Sequence, residues 1–329
     1  MLLLQSSMAP EVQRITVDGV DQGVSAFAPG EQGRVPLGVP SLDGGTMAAL
    51  TRIDTPGGDG MQKTYLLVFF DLVSGAFESV TLERSNALGG IPALTEDGGA
   101  YLIELEFGPG MLQHWLTRIG PERSLEWSVP FGEPTPPADL DGLPASGSQP
   151  IETRSGDLIA ATARGEYVSI RPDGTVRWVV QRPDSKVSGP ILGEGDEVLT
   201  DSREGNLLAV SSDGQPLWRA SLSAEPDPEL VDLFSTTLTL VEHDHLIVAR
   251  HPGELAVLDA HSGTVVYGFV TPFETDVIPC LLVSDSGLLM IAGTDGLHAF
   301  HGPYRFLAAS AWPKIFADLG NRNARAEVP

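Results

Sequence analysis

Three stretches of the chain superpose on one another, each with a turn glycine four residues ahead of an aromatic side chain. They run from Gly165 to Trp178 with Gly174, from Gly205 to Trp218 with Gly214, and from Gly253 to Tyr267 with Gly263. The turn glycines recur after 40 and 49 residues, and after a further 39 if Gly302, ahead of Phe306, marks the next copy. Asp173-Gly174 and Asp213-Gly214 suit a tight hairpin, because glycine accepts a positive φ without a Cβ clash. The strand after the turn is then expected to carry its aromatic inward.

A second strand precedes each stretch: Asp157 to Ala163, Glu197 to Asp201 and His245 to Arg250. An innermost one precedes that: Ser148 to Glu152, Ser188 to Leu192 and Thr237 to Val241. The segments are short and rich in Val, Ile, Leu and Thr. Gly, Pro, Asp and Ser separate them, which is strand and turn chemistry, whereas a helical solenoid of similar period would need helix-period apolar stripes. Four antiparallel strands per unit make one propeller blade. Weaker copies lie upstream, from Ile91 to Trp127 and from Pro36 through Tyr65 and Asp71 to Gly75.

The expected fold is therefore an all-β propeller of four-stranded antiparallel blades, about seven in number, with six or eight as the alternatives. It forms one domain over residues 1–329, with 1–35 and 307–329 completing or capping the ring. The Pro/Gly/Ser-rich stretch from Pro130 to Ser148 reads as an inter-blade loop. A domain boundary there would leave two open sheet edges.

The 37 Gly and 26 Pro fit many turns between short strands, and 42% apolar against 19% charged residues fits a folded core. Lys and Arg number 20 against 44 Asp and Glu, for a formal net charge of −24. Such a surface repels a polyanion, so nucleic acid is not an expected partner, while a cation or a basic protein is compatible with it. Cys280 is the only cysteine, which removes an internal disulfide and a several-cysteine zinc site. The apolar runs Tyr65 to Phe70 and Val277 to Val283 are far shorter than the roughly 20 residues of a membrane helix. Met1 to Ser7 has no basic stretch and only three leucines together, so no signal peptide is expected in the chain as given.

Few residues invite chemistry. His243 and His245, with His251 close behind, form a candidate metal set, because His-x-His on a strand points both imidazoles to one face. Their position at a hairpin favours ordinary turn residues. Asp139-Leu140-Asp141-Gly142 lacks the rest of a calcium loop. No Gly-x-Ser-x-Gly elbow, phosphate-cradling loop or His-Glu-x-x-His occurs.

The run from Ser148-Gln149-Pro150-Ile151 through Gly165-Glu166-Tyr167-Val168-Ser169-Ile170-Arg171-Pro172-Asp173-Gly174-Thr175-Val176-Arg177-Trp178 resembles the blade repeat of the pyrroloquinoline-quinone-like, or quinoprotein-like, propeller family. The tail Ala311-Trp312-Pro313-Lys314-Ile315-Phe316, followed by Asp318, Asn321 and Arg322, resembles that family's end motif. The structural repeat residues are then Gly174, Trp178, Gly214, Trp218, Gly263, Tyr267 and Trp312.

The resemblance implies a periplasmic or outer-membrane-associated location, or an export signal lost upstream of Met1. Enzymes of the superfamily hold pyrroloquinoline quinone with a vicinal cysteine pair in many members, with tryptophan stacking and with calcium; a chain with one cysteine departs from that pattern. The expected function is a monomeric, non-catalytic scaffold that binds a protein or small ligand without a cofactor. The alternative is a quinone- or metal-dependent, dehydrogenase-like enzyme using pyrroloquinoline quinone or Ca2+.

Overall fold

The computed structural model describes residues 2–5, 11–15, 21–26, 34–36, 41–43, 45–57, 60–71, 73–84, 87–89, 91–136, 149–162, 165–181, 190–201, 206–222, 236–250, 252–275, 281–283, 287–304 and 307–308. Their regular structure is all strand, arranged as seven antiparallel sheets among the described residues.

The first sheet is β1 (Leu2–Gln5), β2 (Glu11–Ile15) and β3 (Asp21–Ala26). In the second, β4 (Arg34–Pro36) and β5 (Ser41–Asp43) both pair with β6 (Thr46–Gly57), followed by β7 (Gly60–Asp71) and β8 (Phe77–Thr81). The third repeats this plan. β9 (Ala87–Gly89) and β10 (Ala93–Leu94) both pair with β11 (Ala100–Gly108), followed by β12 (Met111–Ile119) and β13 (Leu125–Thr135).

Three four-stranded sheets come next. They are β14 (Ile151–Glu152), β15 (Leu158–Ala161), β16 (Tyr167–Ile170) and β17 (Val176–Val180); β18 (Ile191–Leu192), β19 (Val198–Asp201), β20 (Asn206–Val210) and β21 (Pro216–Ser221); and β22 (Thr236–Val241), β23 (His245–Arg250), β24 (Glu254–Asp259) and β25 (Val265–Val270). The seventh sheet has β26 (Leu281–Val283), β27 (Leu288–Gly293) and β28 (Gly296–His301).

The extra strand in the second and third sheets is one innermost strand in two pieces. β6 and β11, at 12 and 9 residues, are longer than the 4 to 6 residues of β15, β19 and β23, so two short segments share each edge. Pro92 stands between β9 and β10, where a residue without an N–H breaks the ladder.

Apolar clusters lie between consecutive sheets. Phe69 and Leu67 of the second meet Leu102 and Ile119 of the third. Leu116 and Phe131 of the third meet Leu158 and Val168 of the fourth. The same face-to-face contact runs from the fourth to the fifth, the fifth to the sixth and the sixth to the seventh. This explains the uninterrupted apolar runs: β15, Leu-Ile-Ala-Ala, is buried at every position because a neighbouring sheet covers each face. The outer strands β17 and β21 alternate exposed and half-buried positions.

Two expectations change here. The repeat aromatics do not point inward. Trp178 and Trp218 sit on outer strands and turn sideways onto the next sheet, because the inner positions are already filled by β14 to β16 and β18 to β20. Nor does Gly302 repeat the pattern of Gly263: it lacks a positive φ, and its N–H donates to Gly287 O at 2.8 Å. The chain beyond it crosses to the sixth sheet, where Ala308 N–H donates to Leu240 O at 3.1 Å and Leu307 bridges Val241.

Candidate functional site

The repeated residues form latches from sheet to sheet. The Trp178 indole donates to Ser212 O at 3.0 Å, and its ring lies so close over Gly214 that a Cβ there would sit 2.8 Å away. The Trp218 indole donates to Ala260 O at 2.8 Å, and a Cβ on Gly263 would sit 2.5 Å from its ring. Gly174 stands in the same relation to Trp127 and Val129 of the preceding sheet, with a Cβ clearance of 2.9 Å to Val129. Each of these glycines therefore has two reasons to be glycine: a φ of 84° at Gly174, 86° at Gly214 and 70° at Gly263, and a ring or side chain in the place of its side chain.

The third sheet uses a different device at the equivalent turn. Arg123 takes φ 56° there and lays its guanidinium 3.9 Å over the Phe69 ring. The same side chain pairs with Glu78 at 3.1 Å and donates to Gly98 O, tying the third sheet to the second.

Several ionisable groups are buried, each engaged by a structural neighbour. Arg118 donates to Asp97 at 2.5 Å and to Thr95 at 2.9 Å, and faces the Tyr101 ring at 4.7 Å. Burial pushes the Asp97 carboxyl up, but hydrogen bonds from Thr95 and Arg118 outweigh it and hold the pKa down to about 2. Arg84 bonds Glu104 at 2.8 Å and lies 3.9 Å over Trp115, while Thr117 donates to the same carboxylate. Burial pushes Glu104 above the ordinary glutamate value. Buried Arg250 pairs with Glu254 at 3.4 Å. His114 is buried against Phe131, and burial lowers its pKa to about 4.

Of the histidines singled out from sequence, His243 and His245 sit at a hairpin. His243 and Asp244 occupy the β22–β23 turn with φ of 63° and 54°, and His243 is exposed. His245 is half-buried on β23, its ring 5.3 Å from that of Tyr304. Asp244 pairs at 3.0 Å with His261, from the turn before β25. Among the described residues no group of three or more His, Cys, Asp or Glu converges in a metal-holding arrangement. His251, Cys280, Asp139 to Gly142, Phe306 and the Trp312 motif lie outside the described residues.

Tyr267 differs from its repeat counterparts. It is 43% exposed and bonds Tyr304, an interaction that, after burial, raises the Tyr304 pKa. With Phe269 it borders a narrow apolar crevice of about 40 Å³ between the sixth and seventh sheets, closed by Leu289, Pro303 and Tyr304. A wider crevice of about 330 Å³ runs along the outer strands of the fourth and fifth sheets, between Val180 and Leu208, Leu217 and Trp218.

Sequence reading placed a strand after Gly263 but missed that β25 is exposed along its length. Val265, Val266, Tyr267, Phe269 and Val270 are all exposed, Val270 at 78%. β8, β13, β17 and β21 each carry Glu or Arg, whereas Val-Val-Tyr-Gly-Phe-Val carries no charge. The signal was in the sequence: an uncharged apolar run at the outermost position of a repeat is an unprotected edge.

Antiparallel sheets of mainly four strands, packed face to face in chain order and latched turn to ring, define a β-propeller. Comparisons with known proteins agree. Residues 115–270 match the family model described as outer membrane protein assembly factor BamB. The fold is similar to the crystal structure of BamB from Moraxella catarrhalis at 15% identity and a TM-score of 0.50, covering 92% of this chain and 93% of that one. It is also similar to the C-terminal WD40 domain of Sif2, at 11% identity and a TM-score of 0.61, covering 91% and 78%. The Dos1 propeller is similar at 10% identity and a TM-score of 0.59, covering 91% and 76%. No curated protein matches the chain in sequence.

Proposed function

We propose that the chain is a monomeric, non-catalytic propeller scaffold of the cell envelope that binds a protein or another ligand, with residues 1–35 and 307–329 completing or capping the ring. The observation that carries this reading is the latch series. The residues that repeat, Trp178 with Gly214 and Trp218 with Gly263, are occupied in joining sheets, and Arg118, Arg84 and Arg250 are each occupied in an ion pair. A rigid stack of this kind presents surfaces rather than a reaction centre. The envelope location rests on the likeness of residues 115–270 to an outer membrane assembly factor. The net charge of −24 favours a basic partner over a nucleic acid.

The test is cofactor uptake alongside partner capture. Purified protein mixed with pyrroloquinoline quinone and Ca2+ is expected to show no spectral change and no thermal shift, while the tagged chain retains a specific partner from envelope extracts. Cofactor uptake with turnover of quinone-linked alcohols would overturn the scaffold in favour of a dehydrogenase-like enzyme. Fractionation of the producing cells checks the location, and recovery in the cytosol alone removes the envelope assignment.

A further inference from the structure

β25 is an edge on offer. The N–H of Thr271 donates to Gly253 O at 2.7 Å, and the register pairs Leu255 with Phe269 and Val257 with Tyr267. Backbone polarity alternates along an antiparallel strand. The bonds of Tyr267, Phe269 and Thr271 therefore point at β24, and the N–H and C=O groups of Gly268 and Val270 point away from the sheet, up to the register shift opposite Val257 and Leu258. Among the described residues no strand covers that side in the sixth sheet, whose order ends at β25. The exposed apolar side chains give a partner strand something to bury. Tyr267 and Phe269 border the crevice closed by Leu289, Pro303 and Tyr304, whose size suits one small apolar side chain.

The ends of the strand specify what flanks such a segment. Asp259 and Asp244 stand at the turn leading into β25, and exposed Glu274 follows it. At that turn His261 is held by Asp244. A second copy of this chain would bring another −24 to the contact.

We propose that β25 is a docking edge for an extended segment of another protein, with apolar residues at alternate positions and lysine or arginine at both ends, which adds to the sixth sheet as a further strand. This rests on the scaffold reading and names a surface for it.

A fluorescein-labelled peptide of alternating valine and threonine, with two lysines at each end, tests it by anisotropy against the full chain. Saturable binding is expected, lost when alternate peptide nitrogens are methylated or when the lysines are replaced by glutamates. Val270→Lys and Val266→Lys place a charge on the exposed edge and are expected to weaken binding at least about tenfold. Val179→Lys, on the outer strand β17, leaves it unchanged. Equal affinity of Val270→Lys and wild type, equal weakening by Val179→Lys, or indifference to the end charges overturns the proposal. So does a wild-type dimer in sedimentation that Val270→Lys dissociates, which would make a second copy the occupant. A Val270→Lys chain that fails to bind the peptide but still captures the envelope partner leaves the scaffold standing and limits the edge to this peptide chemistry. A chain that binds neither partner nor peptide removes both.

Discussion

His114 shows how burial fixes a protonation state. Its ring lies between the third and fourth sheets against Phe131, and the folded chain takes up its proton only near pH 4. The unfolded chain takes up that proton near pH 6.5. Between these values the unfolded state binds more protons, so the contribution of His114 is full above about pH 6.5 and is lost as the pH falls toward 4, amounting to about 3 kcal/mol at most. Urea unfolding of wild type and His114→Leu between pH 7 and 4.5 checks this. The stability difference should shift against wild type by kilocalories as the pH falls, and a pH-independent difference would sink the account.

Among the elements, the outer strand and the next sheet's turn act as one unit. Trp178→Ala removes the half-buried ring and its bond to Ser212 O, and is expected to cost about 2 kcal/mol. Gly214→Ala meets both a positive φ and the Trp178 ring, and is expected to cost more than about 1 kcal/mol. The two are coupled. In the Trp178→Ala background the ring clash is gone, so Gly214→Ala should cost only the backbone strain, roughly 1 kcal/mol. Additive losses in the four-member cycle would show that ring and turn do not touch. Glycine and tryptophan at these spacings were legible as a repeat. That the ring serves the following sheet was not, because two residues 36 positions apart become neighbours only when sheets stack.

For the whole molecule, the dominant long-range term is the charge of −24. Self-repulsion of that size opposes the compact state and is screened within about 8 Å at physiological ionic strength. Raising sodium chloride from low to about 0.3 M should therefore raise the melting temperature, with most of the gain below about 0.15 M. A melting temperature flat in salt would mean that the acids are locally compensated, as Asp97 is by Arg118 and Glu78 by Arg123.

The sequence by itself determined the class of fold, the repeat unit and its strand order, because turn glycines, short apolar strands and their spacing are local properties of the chain. It located the β22–β23 hairpin at His243 and the four-stranded units between Ile151 and Val270. Tertiary structure decided what those residues are for. Trp178 turned from an inward core residue into a latch, and Tyr267 became an exposed partner of Tyr304. Arg123 took a glycine's place by stacking on Phe69, and the chain past Gly302 left its own sheet for β22. Each depends on which sheet lies beside which, and a contact between sheets leaves no period in the sequence for a local rule to read.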